Sequence, residues 1–208
     1  PKPVTLEQQQ LCWGLAEKIP QLDDIKAWIK ETVVGMNTLS VYTQDLTARQ
    51  LLQLQYFLQT ISHDSQFIKK IDGRHIEIPV RYGGEYGPDL LDLAQQKNMT
   101  VRELVERHTA PIYTVYFMGF QPGFPYLGGL SPELYSPRHA VPRLQVPAGS
   151  VGIGGEQTGI YPFASPGGWQ LLGRTELPLF NLKNEQPTLL QAGDTLSFVA
   201  IDVIEERL

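Results

Sequence analysis

The chain has 208 residues, a formal net charge of -5, and 42% hydrophobic against 19% charged residues, a composition that buries a core and excludes intrinsic disorder. The acidic balance puts no attractive field around phosphate backbones, so neither nucleic acid nor an anionic membrane is an expected partner. The single cysteine, Cys12, excludes an internal disulfide and a Cys-pair zinc site, while the lack of a long apolar run or a basic-then-apolar leader leaves the cytoplasm as the expected location.

Thr5, three residues before Gln8, is placed to cap a helix whose Leu11, Leu15 and Ile19 recur at four-residue spacing until Pro20 ends it. Cys12 lies in that helix, where packing is its simplest role. Asp23 caps a shorter piece, and residues 32–43 hold Val33, Val34, Leu39, Val41 and Tyr42 around Gly35 and Asn37, predicting two strands or one bent strand. Thr47 and Gln50 repeat the capping pattern ahead of a stripe of Leu51, Leu54, Phe57, Leu58 and Ile61. Helices alternating with strands, with only three of the 19 glycines, define a small α+β domain over 1–73.

A turn at Asp72-Gly73 then precedes Ile76, Ile78, Val80 and Tyr82 in strict alternation, the pattern of a half-buried strand that opens a second domain over 74–208. A helical pair follows at about 88–108, with Thr100 and Glu103 spaced as a capping box, and strands are predicted at 112–118 and 195–201. Fifteen of the 19 glycines lie between Gly83 and Gly173, and ten of the 16 prolines from Pro122 onward. Short strands joined by shaped turns point to a closed barrel or a sandwich, so the whole chain is α+β. There is no fixed-period repeat and no low-complexity tract.

Several chemistries are excluded by what is missing. The segment Gly154-Gly155-Glu156-Gln157-Thr158-Gly159 has the outer glycines of a phosphate loop, but Ile160 and Tyr161 stand where Lys and Ser or Thr belong. Gly152-Ile153-Gly154 begins like a dinucleotide fingerprint, yet Gln157 replaces its third glycine. Neither Ser150 nor Ser165 lies in a Gly-x-Ser-x-Gly elbow. The histidines His63, His75, His108 and His139 are scattered, and no aspartate occurs from Met118 to Leu182, so no metal cage is expected.

The segment from Gly119 to Arg174 carries only Glu133, Arg138, Arg143, Glu156 and Arg174 as charges. Arginine presents a planar fork suited to carboxylate or phosphate, so Arg143 and Arg174 are candidate anion ligands; both read equally well as partners of backbone carbonyls or of Glu156. His108, at the end of a capped helix before Pro111, either terminates that helix through its dipole or points into a cleft. Glu85, between Gly83-Gly84 and Gly87-Pro88, is held on constrained backbone.

Three long runs carry a resemblance. They are Tyr82-Gly83-Gly84-Glu85-Tyr86-Gly87-Pro88-Asp89-Leu90, then Gly119-Phe120-Gln121-Pro122-Gly123-Phe124-Pro125-Tyr126-Leu127-Gly128-Gly129-Leu130, and the tract from Val146-Pro147-Ala148-Gly149 through Gln157-Thr158-Gly159-Ile160-Tyr161-Pro162 to Ser165-Pro166-Gly167-Gly168-Trp169-Gln170-Leu171-Leu172-Gly173-Arg174-Thr175. Together they resemble the family of the B subunit of bacterial 5-oxoprolinase, also called allophanate hydrolase subunit 1, which includes the Kip inhibitor of a sporulation histidine kinase. The resemblance implies a cyclophilin-like β-barrel after a small α+β domain. It implies a component, inactive alone, that opens 5-oxoproline to glutamate with ATP beside subunits A and C; a regulatory protein that grips a histidine kinase is the alternative, and urea-derivative chemistry a third. Family members usually open with a strand bearing a Gly-Asp pair, which this sequence lacks before Thr5, so an incomplete N-terminal sheet is expected.

On that reading, Arg143 or Arg174 holds the substrate carboxylate or a phosphoryl group, His108 or Glu85 moves protons, and Gln157 with Tyr161 orients the substrate. Gly119, Pro122, Gly123, Gly154, Gly155, Gly167 and Gly168 shape the loops, and Phe120 and Trp169 pack the walls.

Overall fold

A computed structural model describes residues 4–206. Residues 1–3, 207 and 208 lie outside the described residues, and with them the N-terminal end at which the sheet is expected to be incomplete. The chain divides into two compact units, with the break between Ile71 and Asp72.

In the first unit, α1 (Leu6–Lys18) is capped by Thr5, whose side chain accepts the Gln8 N–H. The hairpin β1 (Ile29–Gly35) and β2 (Thr38–Thr43) pairs antiparallel around a turn in which Asn37 takes φ 49°. Residues 32–43 are therefore two strands. Thr47 and Gln50 form a reciprocal capping box on α2 (Ala48–Ile61). Leu15, Ile19, Ile25, Leu54 and Ile61 meet in this unit's core. Cys12 is buried in α1, and burial pushes its thiol pKa up, which suits a packing role.

The second unit begins with β3 (His75–Gly83), followed by α3 (Leu90–Gln96) and α4 (Val101–Thr109), the latter capped by the Thr100–Glu103 box. Then come β4 (Tyr113–Met118), β5 (Pro125–Gly128), β6 (Arg143–Val146), β7 (Ser150–Gly154), β8 (Gln157–Ile160), β9 (Ser165–Gly167), β10 (Gln170–Arg174) and β11 (Thr195–Ile204). Seven of these close a barrel in the order β10-β3-β11-β4-β5-β8-β7, and β6 with β9 forms a separate two-stranded ribbon. Closure removes the open sheet edge that strands this short would otherwise expose. β11 runs parallel to β3 from Thr195 beside His75 to Ile204 beside Gly83. Asp194 fastens the start of that pair by accepting the Arg74 backbone N–H at 2.9 Å and its guanidinium at 2.6 Å.

Ile78, Val80, Tyr82, Val115, Leu127, Val151, Ile153, Ile160 and Phe198 fill the barrel with Leu90, Leu93, Leu104 and Val105 from the two helices. His108 lies among them. It occupies the last turn of α4 but is fully buried, its ring 4.7 Å from that of Phe198. The Thr158 hydroxyl donates to the Gly152 carbonyl at 3.0 Å, so it accepts from His108 Nε2–H at 3.0 Å, and Nδ1 accepts from the Tyr82 hydroxyl at 2.8 Å. Burial without a carboxylate partner lowers the His108 pKa to about 3, so the ring is neutral. Neither sequence placement holds in full: the residue ends a helix, but as an uncharged core group that faces no cleft.

A neutral histidine in the fold meets a protonated one in the unfolded chain below pH 6.5. Its folded pKa is depressed, so the stability it confers is complete above about 6.5 and declines as pH falls toward 3. Between pH 7 and 4.5 this one group removes stability on the order of 2–3 kcal/mol. Urea unfolding at the two pH values is expected to show a smaller difference for His108→Gln than for the parent chain; equal differences contradict a neutral buried ring.

Candidate functional site

Strand β9 with the residues that lead into β10, the turn before β5 and the loop over residues 135–142 enclose a small hollow. Its base is a group of buried aromatic rings, Phe124, Tyr161 and Trp169, with half-buried Tyr126 beside them. Ring pairs here meet edge to face: Phe124 and Trp169 at 5.5 Å and 84°, Phe124 and Tyr161 at 5.3 Å and 86°. This is the geometry in which a ring's positive edge meets a negative face. Phe120, 61% exposed, stands over them, 5.5 Å from Phe124 and 6.2 Å from Tyr161.

Phe120 is held there by unusual backbone. Its φ is 64°, and the Gln121 N–H donates to the Gly119 carbonyl at 2.7 Å across it, which makes a γ-turn of the rare positive-φ kind. A bulky residue in that region stores roughly 1–3 kcal/mol of strain, a cost that tends to persist where a ring must be presented for a purpose. Gly119, Pro122 and Gly123 bracket this turn, and the Phe124 N–H closes it on the Gln121 carbonyl at 3.0 Å.

Two glycines are required by close approach. A Cβ at Gly154 would lie 2.4 Å from Trp169 Nε1, and one at Gly167 would lie 2.6 Å from the Tyr161 hydroxyl. The Tyr161 hydroxyl also meets the Trp169 backbone N–H; burial raises its pKa, while that hydrogen bond and the nearby Arg138 and Arg143 draw it back down. Gly155, at φ 70°, exchanges backbone hydrogen bonds with Ser136 at 2.7 and 2.9 Å, which ties the loop over residues 135–142 to the β7–β8 turn. β7 and β8 are two antiparallel walls of the barrel, so the glycines at 152–159 open no helix and make no triphosphate cradle.

That loop brings in the charged groups. Arg138 lines the hollow, its guanidinium carbon 5.7 Å from the Trp169 ring centroid. Behind it, the buried Asp89 at the start of α3 accepts from Arg143 Nη2 at 2.5 Å and from the Leu171 N–H at 2.6 Å, and lies 3.3 Å from His139 Nε2. Arg143 Nη1 is buried with no hydrogen-bond partner among the described residues.

The structure thus gathers Tyr161, Gly167 and Gly168 at one hollow, sets Arg143, Gly119, Pro122, Gly123 and Gly154 beside it, and separates Arg174, Glu85, Gln157 and His108 from it. Arg174 lies with its guanidinium carbon 4.7 Å from the Tyr86 ring centroid, a cation–π contact away from the aromatic base. Glu85 lines a second hollow with Gly84, Pro88, Leu91, Ile204 and Glu206, which shares no lining residue with the first. Gln157 opens β8 opposite Gly154 and does not line the hollow. His108 is sealed in the barrel. Phe120 and Trp169, read from sequence as packing, line the hollow together with Arg138, which sequence reasoning passed over. The available signal for Arg138 was its rarity: the segment from Gly119 to Arg174 has three arginines and no lysine. Among the described residues, no group of three or more His, Cys, Asp or Glu side chains could hold a metal ion, and no helix is long and apolar enough to cross a membrane.

The family model for the carboxyltransferase domain, subdomain C and D, matches residues 1–190. A protein of Haemophilus influenzae, named as the B subunit of 5-oxoprolinase, is 50% identical over 204 residues, spanning 96% of this chain and 90% of that protein. The chain belongs to the carboxyltransferase subdomain C and D family, among its 5-oxoprolinase members. A solved structure from this group of folds, a conserved uncharacterized protein of Pyrococcus horikoshii, is 40% identical with a TM-score of 0.61, covering 97% of this chain and 91% of that one. The urea amidolyase of Kluyveromyces lactis shares the fold at 19% identity and a TM-score of 0.68, with this chain covering 92% of its own length and 13% of the larger protein's. The fold thus recurs as one part of a much longer protein.

Gly154→Ala is expected to displace the Trp169 indole and cost about 1–3 kcal/mol of stability, read as a shift in tryptophan emission and a lower urea midpoint. Phe120→Gly is the converse case. Glycine adopts the positive φ freely and the lost ring is mostly exposed, so the urea midpoint should hold or rise; a fall of more than about 1 kcal/mol would show that the turn is unstrained.

Proposed function

We propose that the chain is a non-autonomous component of an ATP-dependent 5-oxoprolinase, opening 5-oxoproline to L-glutamate together with subunits A and C. The reading is carried by one observation: 50% identity to a protein named as the B subunit of 5-oxoprolinase, extended over nearly all of both chains. The hollow supports it physically. A lactam is a small ring with a near-planar amide and a poor electrophile, so an enzyme gains by fixing it against rigid walls that exclude water. The rings of Phe124, Tyr161 and Trp169 supply such walls, and Tyr161 and Arg138 line the same space with polar groups that can orient a ligand. ATP serves the complex as co-substrate, and no nucleotide step is assigned to residues of this chain.

Of the residues assigned from sequence, Tyr161 lines the hollow, whereas His108, Arg174 and Gln157 do not. His108 has no route to a substrate, because it is fully enclosed and held neutral. Arg174 stacks on Tyr86, and Arg143 is paired with the buried Asp89 beside the hollow, where it holds the ribbon rather than lining the space. Glu85, exposed at its own hollow, is proposed only as a residue that another component of the complex could bring to the substrate.

The reading is tested by mixing the purified chain with subunits A and C. ATP-dependent release of glutamate from 5-oxoproline is expected from the complete mixture, and none from the chain alone. A complete mixture that releases no glutamate overturns the assignment; release by the chain alone overturns its non-autonomy.

A further inference from the structure

We infer that Arg138 reads the carboxylate of a small flat anion seated on the Phe124–Tyr161–Trp169 floor, and that Asp89 acts as a positioning residue that holds Arg138 there. The inference rests on the proposed function for the choice of ligand and adds to it the group that recognises the ligand's charge.

Four observations converge. Among the described residues, Arg138 is the one cation that lines the hollow; the other side chains there are aromatic rings and a proline. It is exposed, and among the described residues no carboxylate pairs with it. A cation over an aromatic floor, without an acidic neighbour, is poised for an incoming anion. The space is about 90 Å³, far below the roughly 300–1,000 Å³ of pockets for drug-sized ligands, so it suits one small ring.

The loop that carries Arg138 is fixed along its length. His139 N–H donates to the Gly168 carbonyl at 2.7 Å, Gln170 Nε2 donates to the Pro137 carbonyl at 2.9 Å, and Ser136 is bound to Gly155 on both sides. Asp89 adds the deepest fastening, since one carboxylate holds Arg143 and the Leu171 N–H and meets His139, the residue next to Arg138. The Asp89 charge is matched by Arg143, so the positive charge of Arg138 is left uncompensated, which complements a monocarboxylate.

The test compares 5-oxoproline with 2-pyrrolidinone, the same lactam without its carboxylate. Both are titrated into the full chain and followed at the Trp169 indole N–H by NMR, with Trp169→Phe to assign the signal. The parent chain is expected to bind 5-oxoproline about tenfold or more tightly than 2-pyrrolidinone, the size of a hydrogen bond between charged partners. Arg138→Ala should abolish that preference to within about twofold, and Arg138→Lys should restore part of it. Asp89→Asn should weaken 5-oxoproline but leave 2-pyrrolidinone within about twofold, whereas mere loosening of the fold weakens both. In the reconstituted enzyme, Arg138→Ala should raise KM for 5-oxoproline about tenfold while kcat falls by less than about threefold.

The inference fails if the parent chain shows no Trp169 response to either lactam, or if Arg138→Ala keeps the preference for the carboxylate. Its failure is distinct from that of the proposed function. Turnover by the complete enzyme with an unchanged KM in Arg138→Ala sinks the inference alone, while carboxylate-selective binding without any turnover sinks the assignment of the reaction alone.

Discussion

One buried carboxylate organises this structure. Asp89 begins α3 beneath the barrel wall, accepts the Leu171 N–H of β10 and grips Arg143 at the first position of β6. An ionised carboxylate in such a place survives only when its lone pairs are taken up by donors. Those donors lie on segments about fifty and eighty residues away in sequence, at Arg143 and Leu171. The carboxylate therefore fixes the ribbon and the 135–142 loop relative to the barrel. The aromatic hollow, which lies between ribbon and barrel, inherits its shape from that contact.

The same constraint explains how local strain is sustained. The γ-turn at Phe120 and the glycine contacts against Trp169 and Tyr161 are costly pieces of backbone, and none of them would hold in a soft surrounding. They hold because the rings beneath are buried and packed edge to face. Rigidity here is collective: a stiff floor, a stapled loop and a strained turn keep one another in place.

Sequence patterns disclosed much of this fold and part of its site. Capping boxes at Thr47 and Thr100 and the alternation of Ile76, Ile78, Val80 and Tyr82 are short-range signals, written within a few residues, and each appears in the structure where it was read. The strands β5 to β10 were not legible one by one, because they are three to five residues long and nearly continuous with glycine and proline turns. Arg174 and Arg143 look alike in sequence, and only tertiary packing sends one to Tyr86 and the other to Asp89. His108 misled for a related reason: its position at a helix end is local, whereas its neutrality comes from Phe198, Tyr82 and Thr158, all distant along the chain. Aromatic residues are the hardest case, since the same Trp169 ring packs inward on one face and bounds a hollow on the other.

The parallel pairing of β3 with β11 has a temporal side. A ribosome releases His75–Gly83 more than a hundred residues before Thr195–Ile204, so the second unit cannot seal until its final strand has emerged. Until then the edge of β3 that pairs with β11 stays bare, and Ile78 and Val80, which the finished molecule hides completely, lack part of their cover. Nascent chains of this kind are long-lived targets for edge-to-edge association, and their yield in a cell should depend more on what shields that flank during synthesis than on how firmly the completed barrel holds.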